Sequence, residues 1–413
     1  MQQMNNRFAA KIKSLPPDMK YFIAATAMFA FGGGMLDSVF NNFLNETFGL
    51  SSFQRTLLEI PRELPGFLVA FVSAFLFFLP SRRLAAIAGV FSFAGLLLLG
   101  VAARSYALML PWLFLYSLGQ HLFMPLSASI GMELAREGHT GRRLGQLNSV
   151  RNAAVVAGSF LVFLGFRFCH FTFSVSFVLA SLSLIFAAFF LCRMSPGSSH
   201  PAGVHLKFYK EYRLYYWLCI LFGTRKQIFM TFAPWVLVTV FHQPTAVIAW
   251  LLTIGAIVGI VTQPVIGRLI DLLGERTMLS MEAALLVIVC AGYGFSGSLF
   301  SEHTAFLIVA VCYVADQMLM SIGIARSTYL KKIVTDSAHI MPTLSLAVSL
   351  DHVFSMAIAL CGGIIWNTIG YQAVFLFGAL IAVINLLSAR CIKTLPASVK
   401  IISPASRPAA TED

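Results

Sequence analysis

Ionisable side chains lie inside long apolar segments of this sequence, where a charge is costly unless it faces water or an opposite charge. Residues of this kind are typical of substrate pathways and proton relays. We therefore take them as the candidate functional residues. They are Asp37, Glu59, Arg62, Glu63, His121, Arg151, Arg225, Lys226, Asp316, Asp351 and His352.

Arg225 and Lys226 are candidate ligands for an anionic group, because a guanidinium stays charged and can bind a carboxylate or phosphate in a fork. Adjacent residues point about 100° apart on a helix, so we do not expect both to contact one ligand. Alternatively, Arg225 forms an ion pair with Asp316 or Asp351 that holds the two parts of the protein together. The predicted substrate-binding residues are Arg225, Lys226, Arg151, His121, Gln120 and Gln317.

The acids in the apolar segments could provide coupling to protons. Asp37, Asp316 and Asp351 could each take up a proton when desolvated, although Asp37 could instead mark a solvated helix end. His121 and His352 could relay protons or bind a metal, or could be hydrogen-bonded packing residues, and we predict no metal site. The predicted proton-coupling or gating residues are Asp37, Asp316, Asp351, His352, Glu59, Arg62 and Glu63.

Two groups of charges offer gates. Glu59 and Arg62 share one helix face near two prolines, so this stretch is either an outer gate or a kinked, locally paired helix end. Arg151 and Asp351 lie at corresponding places in the two halves of the chain. We hypothesise a salt bridge between these two residues that breaks as a cavity opens.

The apolar segments that must position these residues have the length of membrane-spanning helices. Hydrophobic residues make up 58% of the chain and charged residues 11%, against about 45–50% and 25% in a soluble domain. Blocks of roughly twenty apolar residues can cross about 30 Å of hydrocarbon as helix. We predict twelve such helices, at 21–43, 57–79, 84–103, 107–132, 144–168, 171–191, 214–241, 246–270, 278–296, 304–324, 341–365 and 371–389.

The distribution of basic residues predicts the orientation of these helices. The net charge of +12 comes from short connecting segments rather than one soluble face, which argues against a nucleic-acid-binding surface. Most Lys and Arg residues lie in segments that share one side of the membrane, whereas Arg55, Arg104 and Arg167 lie on the other side. The excess of positive charge places both termini in the cytoplasm.

The chain divides into two related halves. The sequence YSLGQHLFM at 116–124 is similar to YVADQMLMS at 313–321, with Tyr, Gln and Leu in register. A polar connector lies between the sixth and seventh blocks. We predict an N-terminal six-helix bundle at 1–192, a cytoplasmic linker at 193–213, and a C-terminal six-helix bundle with a short cytoplasmic tail at 214–413.

The sequence GRLIDLLGER at 267–276 resembles the loop motif of the major facilitator superfamily. The residues that carry the resemblance are Gly267, Asp271, Gly274 and Arg276. In this family reading Asp271 accepts hydrogen bonds at the N-terminus of a neighbouring helix, while Gly274 and Arg276 close a tight turn on an ionic latch. The first half departs from the motif, because Phe77 stands where the aspartate would be.

The resemblance implies an all-α membrane protein of the bacterial 12-helix type, with two six-helix bundles around a central cavity. It implies a secondary transporter that works by alternating access in the cytoplasmic (inner) membrane. We predict a monomer that moves a small polar, anionic organic solute, with a proton as coupling ion and without cofactor, nucleic acid or enzymatic activity. The alternatives are efflux of amphipathic drugs or metabolites, transport of a divalent metal, and a carrier-like sensor.

Overall fold

The computed structural model of the protein describes residues 15–75, 78–134, 140–197, 207–336 and 339–393. These residues form α-helices and short 3-10 helices, with no β-strand among them. In chain order the α-helices are α1 (Pro17–Phe48), α2 (Ser52–Leu57), α3 (Glu59–Phe75), α4 (Ser81–Ala102), α5 (Tyr106–Glu133), α6 (Thr140–Phe168), α7 (Phe173–Cys192), α8 (Arg213–Thr239), α9 (Thr245–Leu299), α10 (Glu302–Met320), α11 (Ile324–Ile333), α12 (Ile340–Thr368) and α13 (Tyr371–Arg390).

Ten helical stretches within the described ranges are long and apolar enough to cross a membrane. The prediction of an all-helical, multi-pass membrane protein is therefore confirmed. The two other predicted spans, which correspond to the α2–α3 region and to α8, are also helical. Both carry several charged residues, which lowers their hydropathy. The total of twelve spans stays a prediction.

Two predicted spans differ locally from the observed helices. The second block is interrupted, because α2 starts at a capping box between Ser51 and Gln54 and α3 begins only after Leu58. The eighth and ninth blocks run together as α9, which is kinked at Gly274. This residue has a φ of 78°, a backbone conformation that glycine adopts without a clash from a Cβ atom.

Each half of the chain builds its own apolar core. One core joins buried side chains from α1 to α7, and the other joins side chains from α8 to α13. Trp235 of α8 packs in the first core, so the halves meet there. The halves also contact each other where α6 packs on α9 and where α2 and α3 pack on α12. The boundaries of the linker at 193–213 stay a prediction.

Arg82 joins three segments at one end of the first half, which we call the Arg82 end. Its guanidinium forms ion pairs with Asp18 at the start of α1 (2.5 Å) and Glu133 at the end of α5 (2.8 Å). It also donates a hydrogen bond to Ser195, after α7. Phe77, where the loop motif departs from the family pattern, lies outside the described residues. The first half nevertheless has an ionic latch, built on Arg82.

The loop motif of the second half forms its latch through other residues than the sequence predicts. Asp271 and Arg276 are exposed and form no ion pair or hydrogen bond with another described side chain, so the roles expected for them are corrected. Glu275 is buried instead and pairs with Lys332 at the end of α11 at 2.8 Å. The kink at Gly274 turns Glu275 toward this partner.

The opposite end of the bundle is closed between the two halves, and we call it the Arg55 end. The Asn42 side chain, near the end of α1, donates a hydrogen bond of 3.0 Å to the Gln243 backbone carbonyl between α8 and α9. Arg55 is fully buried in α2 there, whereas the sequence places it in an external loop. That expectation is corrected, because the capping box extends the helical structure outward to include Arg55.

We predict that Arg82→Ala destabilises the protein. The substitution leaves Asp18 and Glu133 close together without their shared cation, and we expect a loss of about 1–3 kcal/mol in the free energy of unfolding. The measurement is reversible unfolding in mixed micelles. Arg104→Ala, which removes an exposed arginine, is the matched control. Equal stability of the two variants would contradict the role assigned to Arg82.

Candidate functional site

Two cavities lie between the halves of the protein. The central cavity has a volume of about 230 Å³ and is lined by α1, α3 and α5 of the first half and by α8, α9 and α10 of the second. The wide cavity has a volume of about 670 Å³ and lies toward the Arg82 end, among the first turns of α6, α8 and α12 and the α10–α11 junction. Met320 lines both cavities, so they are adjacent.

The repeated sequences that relate the two halves face each other across the central cavity. Tyr116 and Gln120 line it from α5, and Tyr313 and Gln317 line it from α10. Both glutamines are half-buried, so their amides are accessible from the cavity. The structure therefore brings together Gln120 and Gln317, two of the predicted substrate-binding residues.

Arg225 belongs to a buried charge cluster within the second half. Its guanidinium pairs with Asp316 of α10 at 2.8 Å and lies 3.9 Å from Glu282 of α9, and Glu282 lies 3.7 Å from Arg326. We call Arg225, Glu282, Asp316 and Arg326 the buried cluster. Its two cations and two acids balance, and Arg225 is only 3% exposed. Arg225 is thus occupied by an acid rather than available to a ligand.

This cluster corrects one expectation from the sequence. An Arg225 to Asp316 pair was one of the alternatives, but as a contact that holds the two halves together. Both residues belong to the second half, where the pair joins α8 to α10. Arg326 stacks over the Phe222 ring at 3.4 Å, which fixes its guanidinium against α8. The cluster therefore stabilises one bundle.

Lys226 points away from Arg225 and toward α12. Its ammonium pairs with Asp351 at 2.6 Å, and both side chains are 19% exposed. The divergence of these two neighbours on α8 agrees with the helical geometry expected from the sequence. Asp351 also lines the wide cavity. This ion pair is consequently more exposed than the pair of Arg225 with Asp316.

Glu59 forms the centre of a second buried group, near the Arg55 end. Its carboxylate pairs with Arg55 at 2.6 Å and with Arg62 at 3.5 Å. The Thr231 hydroxyl of α8 donates a hydrogen bond to it at 3.0 Å. The local pairing expected for this helix is present, and the bond from Thr231 also connects it to the other half.

Glu63 and His352 form a further polar contact between the halves. His352 Nδ1 of α12 lies 2.8 Å from Glu63 Oε2 of α3, and the His121 ring of α5 lies edge-on to the His352 ring at 5.0 Å. His121 Nδ1 is also 3.0 Å from the Ser117 backbone carbonyl. His121 thus lies against the contact between the halves rather than among the residues that line the two cavities.

Glu63, His121 and His352 could each offer one atom to a metal ion, and these atoms lie within 4.8 Å of one another. Nitrogen and oxygen ligands around a zinc ion are about 3.3 Å apart, as their bond lengths of about 2.0–2.2 Å require. The trio would have to contract to hold such an ion. Asp37 and Asp351 are not part of this trio.

Arg151 and Asp37 face the cavities without an ion-pair partner among the described residues. Arg151 is exposed and lines the wide cavity together with Asp351, which is bonded to Lys226 in this structure. The hypothesised pair of Arg151 with Asp351 is therefore not formed here. Asp37 is exposed in the central cavity. Its placement there corrects the alternative of a solvated helix end.

Sequence reasoning missed Arg55, Glu282 and Arg326 as members of the charge network. The sequence places Arg55 on the external side. Arg326 follows the tenth predicted block, and Glu282 lies near the start of the ninth. The sequence signal that could have revealed these pairs is a cation close to the end of an apolar block, because its side chain can turn back toward a buried acid.

The fold and the site can now be compared with known proteins. A family model described as Major Facilitator Superfamily matches residues 22–339 and 218–410, which is most of the chain. The chain belongs to the major facilitator superfamily. This membership confirms the resemblance carried by the loop motif and indicates a transporter rather than an enzyme.

Solved structures of transporters share the fold of this superfamily member. One is a POT family transporter in complex with a thioalcohol-conjugated peptide (TM-score 0.70, 11% identity, 92% of this chain and 97% of that chain covered). Another is a POT family transporter in complex with 5-aminolevulinic acid (TM-score 0.68, 12% identity, 92% and 97% covered). A third is the nucleoside transporter NupG (TM-score 0.69, 11% identity, 92% and 99% covered). No curated protein sequence matches the chain.

We predict strong energetic coupling between Arg225 and Asp316. Replacing one partner alone, as in Arg225→Met or Asp316→Asn, leaves an unbalanced buried charge and is expected to cost about 3–5 kcal/mol of unfolding free energy. The double variant restores neutrality, so it should cost less than the sum by about 1–3 kcal/mol.

The measurement is a double-mutant cycle by unfolding in mixed micelles. The matched control is the same cycle on Lys226 and Asp351, whose pair is more exposed and should give a smaller coupling energy. Additive effects at Arg225 and Asp316 would show that the buried cluster does not act as one unit.

Proposed function

We propose that the protein is a secondary transporter that moves a small polar organic solute with an anionic group, in exchange or symport with protons, by alternating access. The observation that carries this proposal is the pair of adjacent cavities lined by both bundles, with the described residues of the two halves bonded to each other at the Arg55 end. A chamber of this kind, lined by both halves, can receive a solute from the Arg82 end. Reclosure at the Arg82 end and opening at the Arg55 end would complete transport.

The proposed orientation places the Arg82 end in the cytoplasm of a bacterial inner membrane, with both termini on that side. The support is the excess of Lys and Arg in the connecting segments at that end. The structure in hand then corresponds to an inward-open conformation. The direction of net transport follows from the coupling gradient rather than from this geometry.

Arg151 is the proposed ligand for the anionic group. Among the cations that the sequence proposed for this role, Arg225 and Lys226 are each paired with an acid. Arg151 is exposed in the wide cavity. A guanidinium in this position can bind a carboxylate or phosphate in a fork. Gln120 and Gln317 supply neutral hydrogen-bond partners deeper in the central cavity.

The pair of Lys226 with Asp351 is the proposed site of proton coupling. It borders the wide cavity, and protonation of Asp351 would release Lys226. The contact between Glu63 and His352 is the proposed gate, because it joins the halves and contains an imidazole that can change charge. In this arrangement a proton alters contacts on both sides of the same helix, α12.

We predict that Arg151→Ala weakens solute binding by roughly tenfold to a hundredfold, the value of a lost hydrogen bond to a charged group. The measurement is counterflow of labelled organic acids into liposomes that contain the purified protein. Arg167→Ala removes an exposed arginine outside both cavities and serves as the control. Equal counterflow by the two variants would refute the role of Arg151.

We predict that Asp351→Asn abolishes proton-driven accumulation while counterflow continues. The amide cannot exchange a proton, so an imposed pH gradient should no longer drive solute uphill, whereas exchange needs no net proton movement. The test compares both assays on one liposome preparation. Accumulation by this variant at the wild-type level would place the coupling site elsewhere.

A further inference from the structure

The carboxylate of Asp37 is the feature of the central cavity that the contacts above leave unused. It is exposed within the cavity on α1, and no cation lies within ion-pair distance of it in the described part of the chain. The close packing of α1 on α6 fixes its position, since a Cβ on Gly34 would lie 2.7 Å from the Val155 carbonyl oxygen. Asp37 is therefore held rigidly at the cavity wall.

The neighbouring cations are already engaged by other acids. Arg62 pairs with Glu59, Arg225 with Asp316, and Lys226 with Asp351. Arg62 also lines the central cavity, but its ion-pair partner is Glu59 on its own helix. Each of these three cations thus has a carboxylate closer than Asp37. No cation of the described residues lies within ion-pair distance of Asp37, although Arg62 and Arg151 are close enough to interact with it electrostatically.

A lone carboxylate in a narrow chamber within a membrane-spanning bundle favours a mobile positive partner. Charges at this depth are costly and are normally balanced by a neighbour or by a ligand. The walls around Asp37 contain aromatic rings, including Phe40, Tyr116 and Phe229. Aromatic faces attract cations, and the attraction increases when the cation leaves bulk water. The cavity therefore has the chemistry of an ammonium-binding site.

Arg151, in the adjoining wide cavity, is a cation without an ion-pair partner among the described residues. It lies on α6, which packs against α1, and it is close enough to Asp37 to interact with it electrostatically. The central and wide cavities adjoin at Met320. One solute could consequently present a positive group to Asp37 and a negative group to Arg151.

We infer that the transported solute carries a protonated amine, which binds Asp37 in the central cavity, so that the substrate is a small zwitterion. This inference rests on the proposed function and adds the amine to the anionic group assigned there. Gln120 and Gln317 flank the amine and discriminate its substituents. The central cavity has a volume of about 230 Å³, which suits an amine and a short linker.

The test is binding to the purified full-length protein, followed by thermal stability and by competition in liposome counterflow. The probes form three matched series: γ-aminobutyrate, butyrate and propylamine; phenylalanine, 3-phenylpropionate and phenethylamine; and 5-aminolevulinate with levulinate. Within a series the compounds differ only in the amine or the carboxylate. The variants are Asp37→Asn, its conservative partner Asp37→Glu, and the control Glu302→Gln, which alters an exposed acid outside both cavities.

We expect at least one zwitterion to bind roughly tenfold or more tightly than its counterpart without the amine. Asp37→Asn should abolish that difference while leaving affinity for the carboxylate probe unchanged, and Asp37→Glu should restore part of it. Glu302→Gln should behave as wild type. Folding of each variant is checked by its melting temperature without probe.

Other outcomes overturn the inference in distinguishable ways. If the acids without an amine bind as tightly as the zwitterions, the inference fails and the proposed anion transport stands. If Asp37→Asn retains the preference for amines but loses proton-driven accumulation, Asp37 is a coupling residue and the inference fails. If no probe in any series binds, the proposed function and the inference both fail for solutes of this size.

Discussion

A charged side chain in the hydrocarbon region of a membrane is stable only when an opposite charge or water lies close to it. Most features of this protein follow from that constraint. The buried cluster in the second half meets it with two cations and two acids, so Arg225 and Asp316 can stay charged although they are only 3% and 4% exposed. Such a cluster binds α8, α9 and α10 into one bundle. Because Arg225 and Arg326 are paired with the acids of the cluster, neither guanidinium is available to bind a ligand.

The same constraint separates structural charges from functional ones. Arg225 is nearly inaccessible and paired with Asp316, whereas Arg151 and Asp37 face cavities and have no ion-pair partner in the described ranges. Between these extremes lies the pair of Lys226 with Asp351, bonded but partly exposed. A pair of that kind can be broken by a proton or a solute at moderate cost, which a transport cycle requires.

The length and apolar composition of the blocks were sufficient to predict an all-helical, multi-pass architecture, and the charges within the blocks were sufficient to select the ionisable residues to examine. The partners of these charges could not be derived, because an error of a few residues in a helix boundary rotates a side chain by a large angle. The sequence therefore left Asp316 and Asp351 as alternative ion-pair partners of Arg225, without deciding between them. Arg55 was placed on the external side for a different reason. The capping box at Ser51 starts a helix in a segment whose polar composition is typical of a loop, and Arg55 lies in that helix.

The contacts between the halves at the Arg55 end can be broken and formed again during a transport cycle. The polar bonds between the halves include Asn42 to Gln243, Thr231 to Glu59, and His352 to Glu63, and they lie beside the apolar packing of Trp235 in the first core. Polar bonds can be exchanged for bonds to water when the end opens, whereas a large apolar interface would lose its burial without compensation. Because Glu59 keeps its pairing with Arg55 on the same side of the interface, separation of the halves would leave its charge neutralised. At Glu59, opening therefore exposes a neutralised ion pair rather than an isolated charge, whereas Glu63 exchanges its contact with His352 for water.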